Sequence, residues 1–232
     1  MIFLVRNIIM ERGVNIVLAD KKFIGNIDRT NINKDILKII PYYLSSTLVE
    51  TLTHKFISVY YAFDENNIVR DLIYFIPVSF VFELVFDLFH YIAHRLEHSN
   101  AILYRHFHKI HHTYSNPTTL VTYHHHPIDL LISNSIPQII TMYVMNKILL
   151  TNKISLYIYN MMIIYKIFIE ISGHSGKIIN SSSFPQCIWL PKILGIGLRT
   201  EDHDNHHRLN NCNYSKRFKL WDIVFGTYKK TE

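Results

Sequence analysis

Apolar residues gather into a few stretches of helical length, with polar and histidine-rich segments between them. Residues 72–89 form the strongest stretch, long enough to cross a hydrocarbon core of about 30 Å although Pro77, Glu83 and Asp87 lie within it. Residues 128–150 and 154–171 are two further apolar runs separated only by Thr151, Asn152 and Lys153, a pattern that predicts a helical hairpin. Residues 36–63 are apolar but interrupted by Pro41, Glu50, His54 and Lys55, which predicts one bent helix or two short ones near a membrane interface. Residues 1–35 mix Asn and Asp with apolar positions, with Gly13 and Gly25 as breaks, and are expected to form a peripheral N-terminal arm. No shift in composition divides residues 36–232, which read as a single domain ending in an aromatic stretch around Trp221, Phe225 and Tyr228.

The hairpin has a topological consequence. Two crossings between His112 and His174 return the chain to the side it left, so the histidine-rich segments on either flank can meet. Lys109, Lys177, Lys192, Arg199, Arg208, Lys216 and Arg217 all fall on that side, and an excess of basic residues marks it as cytosolic. The expected architecture is all-α: an integral membrane helical bundle with a histidine-rich helical cap on the cytosolic side that holds two metals.

Composition agrees with this. Hydrophobic residues make up 49% of the chain and charged residues 18%. The net charge of +6 does not point to nucleic acid, because Lys and Arg flank apolar segments instead of lining one polar stripe; an anionic membrane surface suits them better. Cys187 and Cys212 form neither a CxxC pair nor a disulfide framework. Residues 1–10 are apolar with one Arg but carry no small-residue cleavage site, so a secretory signal is not expected.

The chemistry lies in the 15 histidines, and their spacing carries more information than their number. His94 and His98 form an HxxxH pair, and four helical residues turn through about 400°, so both rings leave nearly one face and can grip one metal. His108, His111 and His112 form HxxHH, as do His203, His206 and His207; on a helix each triplet spans an arc of about 100° and can offer three nitrogens to one side. Clustered imidazoles beside lipid are costly unless they bind or relay something. Structural zinc takes four ligands and usually recruits Cys, whereas eight or more imidazoles suit two five- or six-coordinate ions with open positions, which favours a pair of irons. Each ligand ring needs its outer N–H held by a carboxylate or carbonyl. Asp87, Tyr91, His94 and His98 share one helical face that Glu83 extends, so Asp87 is a candidate for that role or for proton delivery. Asp202 and Asp204 interleave the last triplet and are weaker candidates. Two other classes fit less well: a metal transporter would place His and Asp midway along several spans, and a zinc hydrolase pairs fewer histidines with a catalytic carboxylate.

The text Asp87-Leu-Phe-His-Tyr-Ile-Ala-His94-Arg95-Leu-Glu-His98, then Leu103-Tyr-Arg-His-Phe-His108-Lys-Ile-His111-His112 and His126-Pro127-Ile-Asp129, resembles the fatty acid hydroxylase superfamily, which includes sterol desaturases and methylsterol oxidases. His174-Ser-Gly176, Asp202-His203-Asp-Asn-His206-His207, Asn213-Tyr214 and Leu220-Trp221-Asp222 continue the match in order. The resemblance implies His94, His98, His108, His111, His112, His203, His206 and His207 as iron ligands and His174 as an additional one. His126 matches a histidine of the sterol-acting branches, while His90, His106, His124 and His125 are expected to be non-ligands. Glu170, four residues before His174, is a candidate ligand or hydrogen-bond acceptor at the site. The resemblance further implies O2-dependent hydroxylation or desaturation of a lipid, either a sterol or a fatty-acyl or sphingolipid compound. It implies external electrons from a cytochrome b5-type donor, and an endoplasmic reticulum membrane with the site facing the cytosol.

Overall fold

The computed structural model describes residues 1–27, 29–149, 154–179 and 183–230, and all regular elements among them are helical. α1 (Ile2–Val17) and α2 (Ile36–Tyr60) precede the long α3 (Ile68–Ser99), which Asn67 caps by accepting from the Arg70 amide. Asn100 stops α3 and starts α4 (Ala101–His106), its side chain accepting from the Ile102 and Leu103 amides. Two 3₁₀ segments, His108–Thr113 and Thr119–Tyr123, lead into α5 (Pro127–Leu130). A π-turn over Leu131–Ser135 joins α5 to α6 (Ile136–Val144), and a second π-turn follows over Met145–Leu149. α7 (Leu156–Gly173), α8 (Trp189–Ile193), α9 (Thr200–Leu209) and α10 (Leu220–Val224) complete the chain.

Two helical stretches, Ile68–Ser99 and Pro127–Lys147, are long and apolar enough to cross a membrane. The start of α3 is tied to the start of α7, because Ser155 at the head of α7 donates its hydroxyl to Asp71 at 2.7 Å. The two helices therefore run in the same direction and bring His94, His98 and His174 to one end. The stretch from Pro127 runs the opposite way, since Asn134 meets Lys166 while Gln138, one turn further on, meets Tyr159 earlier in α7. The expected hairpin geometry follows; Thr151, Asn152 and Lys153 lie outside the described residues.

The core packs Phe82 and Phe86 of α3 against Ile158, Met162, Ile163 and Ile167 of α7, with Ile57, Met142 and Met145 around them. Residues 1–35, expected as a peripheral arm, also enter it: Val14 and Leu18 are core residues, and Arg6 pairs with Glu50 of α2 at 2.8 Å. Some of the interspersed Asn and Asp that made this segment look peripheral have partners. Asn7 is buried and donates to Glu50, for example. By contrast Leu37, Ile40, Leu44, Leu48 and Leu52 of α2 and Val69, Leu72, Ile73 and Ile76 of α3 face outward. Helices with satisfied backbones and apolar outer faces suit hydrocarbon surroundings.

The loop after α7 is held at Gly176, which has φ +65°. A Cβ there would stand 2.5 Å from Nη1 of Arg29 and 2.7 Å from the Pro117 carbonyl oxygen. Buried Arg29, which lies against this glycine, donates to the Pro117 carbonyl and pairs with Asp204 of α9. Gly176→Ala is expected to cost about 1–3 kcal/mol, from left-handed backbone strain together with displacement of Arg29. Thermal unfolding of the purified protein measures it; an unchanged midpoint would mean that Arg29 moves aside freely.

Candidate metal centre

The histidines converge in two adjoining groups. His94, His98, His108, His112 and His206 form one, and His111, His174, His203 and His207 form the other; within each, one donor atom per ring lies within 4.8 Å of all the others. α3 supplies His94 and His98 from its last turns, the 3₁₀ segment supplies His108, His111 and His112, and α9 supplies His203, His206 and His207.

Each HxxHH triplet was expected to aim at one side as a helix. The structure corrects this in two ways. The first triplet sits on a 3₁₀ segment, and both triplets are shared between the groups. His108 and His112 join the first group and His111 the second; His206 joins the first, and His203 and His207 the second. The reason is angular. In α9, His207 lies about 40° around the axis from His203, while His206 lies about 60° the other way, so an arc of about 100° is wide enough to face two ions.

The rings are prepared for metals by their outer nitrogens. Nδ1 of His94 donates to the Tyr214 carbonyl at 2.8 Å, that of His206 to the Cys212 carbonyl at 2.7 Å, and that of His174 to the Glu170 carbonyl at 2.7 Å. A proton committed to Nδ1 leaves the Nε2 lone pair directed inward. Nε2 of His108 lies 2.9 Å from that of His98 and 3.0 Å from that of His112, and the Nε2 atoms of His174 and His203 are 3.0 Å apart. Nε2 of His206 and both ring nitrogens of His207 are buried without a hydrogen-bond partner. Convergent inward lone pairs and orphaned buried nitrogens fit a cation in each group. Burial, and then repulsion from neighbouring imidazoles, holds His111, His112, His203 and His207 well below the usual histidine range. Burial likewise pushes His174 and His206 down to about 3, so these rings are neutral at physiological pH. A cavity of about 20 Å³ lies between the groups, lined by His94, His108, His111, His174 and His203 among others. A second, of about 40 Å³, opens beside His174 and His203, between Ile169, Gly173 and Leu198.

The carboxylates stand behind the rings. Asp87 accepts three backbone amides, those of Lys216 at 2.7 Å and of Arg217 and Phe218 at 2.9 Å, and so clamps the C-terminal loop onto α3. That loop carries the Tyr214 carbonyl to His94. Glu170 accepts from Lys166 at 2.7 Å and Arg217 at 2.8 Å, and Arg217 also pairs with Glu83 at 2.8 Å. Asp202 accepts the Arg199 amide and caps α9, and Asp204 pairs with Arg29. Among the remaining histidines, His90 bonds the Ser133 carbonyl, His124 the Ile110 carbonyl and His54 Asn160, while His126 accepts the Ile128 amide. Two buried carboxylates beside the first group had no role assigned from the sequence: Asp129, bonded to His108, and Glu97, 3.7 Å from the same ring. Asp129 stands four residues after His125 at the head of a helix, and that spacing was the available signal.

Comparison with known proteins bears on the same residues. A 66-residue stretch is 41% identical to the fatty acid hydroxylase vlmA of Lecanicillium sp, covering 27% of this chain and 18% of that protein, so the match reaches well under two thirds of the relative's length. No solved structure matches. The family model for fatty acid hydroxylase matches residues 79–227, more than half of the 232-residue chain, from within α3 to the loop after α10. With two buried imidazole groups assembled inside that span, the chain belongs to the fatty acid hydroxylase family, a family of oxidoreductases.

Proposed function

We propose that this chain is a membrane enzyme that uses O2 at a pair of non-heme irons to hydroxylate or desaturate a lipid, a sterol or a fatty-acyl or sphingolipid compound. The observation that carries this reading is the pair of adjoining groups, five imidazoles and four, buried at one end of apolar helices with no carboxylate among their donors. All-imidazole shells suit redox iron with open positions better than a structural zinc. The irons would supply the oxidising power to break an unactivated C–H bond.

The chain's own residues do the rest. His94, His98, His108, His112 and His206 hold one ion, and His111, His174, His203 and His207 the other. Asp87 and Glu170 act from behind, by keeping the C-terminal loop and the α7 end in place. The opening between Ile169, Gly173 and Leu198 lies beside His174 and His203 of the second group, and is the side from which we expect the lipid to approach. The balance for hydroxylation is RH + O2 + 2 electrons + 2 protons giving ROH + H2O; for desaturation, two hydrogens leave the lipid and two waters form. A cytochrome b5-type donor would deliver the electrons at the basic face, which we place on the cytosolic side of the endoplasmic reticulum membrane.

The test is lipid mass spectrometry of a eukaryotic host containing sterols and ceramides that expresses either the chain or its His111→Ala, His206→Ala form. A lipid that gains one oxygen or loses two hydrogens only with the unaltered chain is the expected result, and its identity names the substrate. Absence of any such lipid, together with purified protein that binds no iron, would return the chain to the metal-handling alternatives.

A further inference from the structure

Asp129 touches neither imidazole group with a donor of its own, yet each of its carboxylate oxygens takes a ring N–H. Oδ1 accepts from Nδ1 of His108 at 2.9 Å, and Oδ2 accepts from Nδ1 of His125 at 2.7 Å. His108 belongs to the five-histidine group. His125 belongs to neither group, but its ring lies flat on that of His111, with centroids 3.9 Å apart and planes 14° apart, and His111 belongs to the four-histidine group.

We propose that Asp129 is a positioning residue shared by both metal sites, orienting His108 in one directly and His111 in the other through His125. The inference rests on reading the two groups as metal sites. A neutral imidazole has two tautomers, and a carboxylate only accepts, so Asp129 commits the proton of each bonded ring to Nδ1. For His108 that leaves the Nε2 lone pair pointing at His98 and His112. For His125 it fixes the plane of the ring that stacks on His111. His111 needs such a support, because its own Nδ1 is buried without a hydrogen-bond partner. Glu97 does not replace Asp129, since its nearer oxygen is 3.7 Å from Nδ1 of His108, beyond hydrogen-bond length. Asp129 itself is held in place: it is fully buried, in a helix that starts at Pro127 and is capped by His126, and its carbonyl accepts from Ser133 at 2.9 Å.

The experiment compares iron binding and 57Fe Mössbauer spectra of the full chain purified in detergent, unaltered and as Asp129→Asn and His125→Phe. Asparagine keeps the size but offers one acceptor oxygen and a donating NH2, so it cannot hold both rings in their present tautomers. Ferrous affinity is expected to fall about 10- to 100-fold, with both quadrupole doublets altered. His125→Phe keeps a flat ring on His111 but loses the bond to Asp129; it is expected to alter the doublet of the four-histidine site and leave the other as it was. Should Asp129→Asn fail to fold, His125→Phe decides alone: a selective change supports the relay and an unchanged spectrum overturns it. Two irons bound at unaltered affinity and with unaltered doublets in Asp129→Asn would overturn the inference while leaving the metal sites standing. An unaltered chain that takes up no iron would overturn both.

Discussion

His206→Ala and His207→Ala, neighbours in the sequence, are expected to empty different metal sites. Each removes one imidazole, the first from the five-histidine group and the second from the four-histidine group. Loss of an inner ligand should cost at least as much as loss of an outer hydrogen-bond partner, which typically lowers metal affinity or activity by about 10- to 100-fold. Each variant should therefore retain about one iron per chain and form product at least about 10-fold more slowly. The Mössbauer doublet that disappears should differ between them. Under the proposed reaction, which uses both metals together, the double variant should be little worse in activity than either single one. Iron analysis and lipid product measurement on matched preparations decide the matter. If both variants lose the same doublet, the division of each HxxHH triplet between two sites is wrong.

Asp87→Ala is expected to act on folding before it acts on chemistry. Its removal leaves the amides of Lys216, Arg217 and Phe218 without their acceptor in a buried setting. A buried donor left unpaired costs about 1–3 kcal/mol, so the three together should cost about 3 kcal/mol or more, a large part of an ordinary domain's stability. For a chain of this size the unfolding midpoint should fall by about 10 °C. Asp87→Asn, which keeps one accepting oxygen, should lose less. Thermal unfolding in detergent, followed by the far-ultraviolet helix signal, distinguishes the roles. An Asp87→Ala chain that unfolds at the unaltered temperature but makes no product would place Asp87 in the reaction instead of in the clamp.

Much of the site was legible because the relevant information is local. HxxxH states its geometry through the helical repeat, and an apolar run states whether it is long enough to span a bilayer. The hairpin between His112 and His174 required only that two apolar runs be adjacent, and its antiparallel course appears in the Asn134–Lys166 and Gln138–Tyr159 contacts. What each carboxylate does was not legible, because a hydrogen bond depends on which backbone arrives beside it. Asp87 shares a helical face with His94 and His98, yet its partners are amides about 130 residues further on. Glu170 lies one turn before His174, but its Oε1 meets Lys166, Lys216 and Arg217, and its backbone carbonyl reaches the ring.

The sequence by itself determined the inventory: apolar helices, three histidine clusters at their ends, and enough nitrogen donors for the paired irons proposed above. The tertiary structure alone decided the allotment, five rings to one group and four to the other, with each HxxHH triplet divided between them. It also decided that Val14 and Leu18 belong to the core and that Asp129, not Asp87, bonds the rings of His108 and His125. The physical reason is the same in each case. Periodicity fixes the direction in which a side chain leaves its own helix, whereas the atom it meets is set by how separate helices pack.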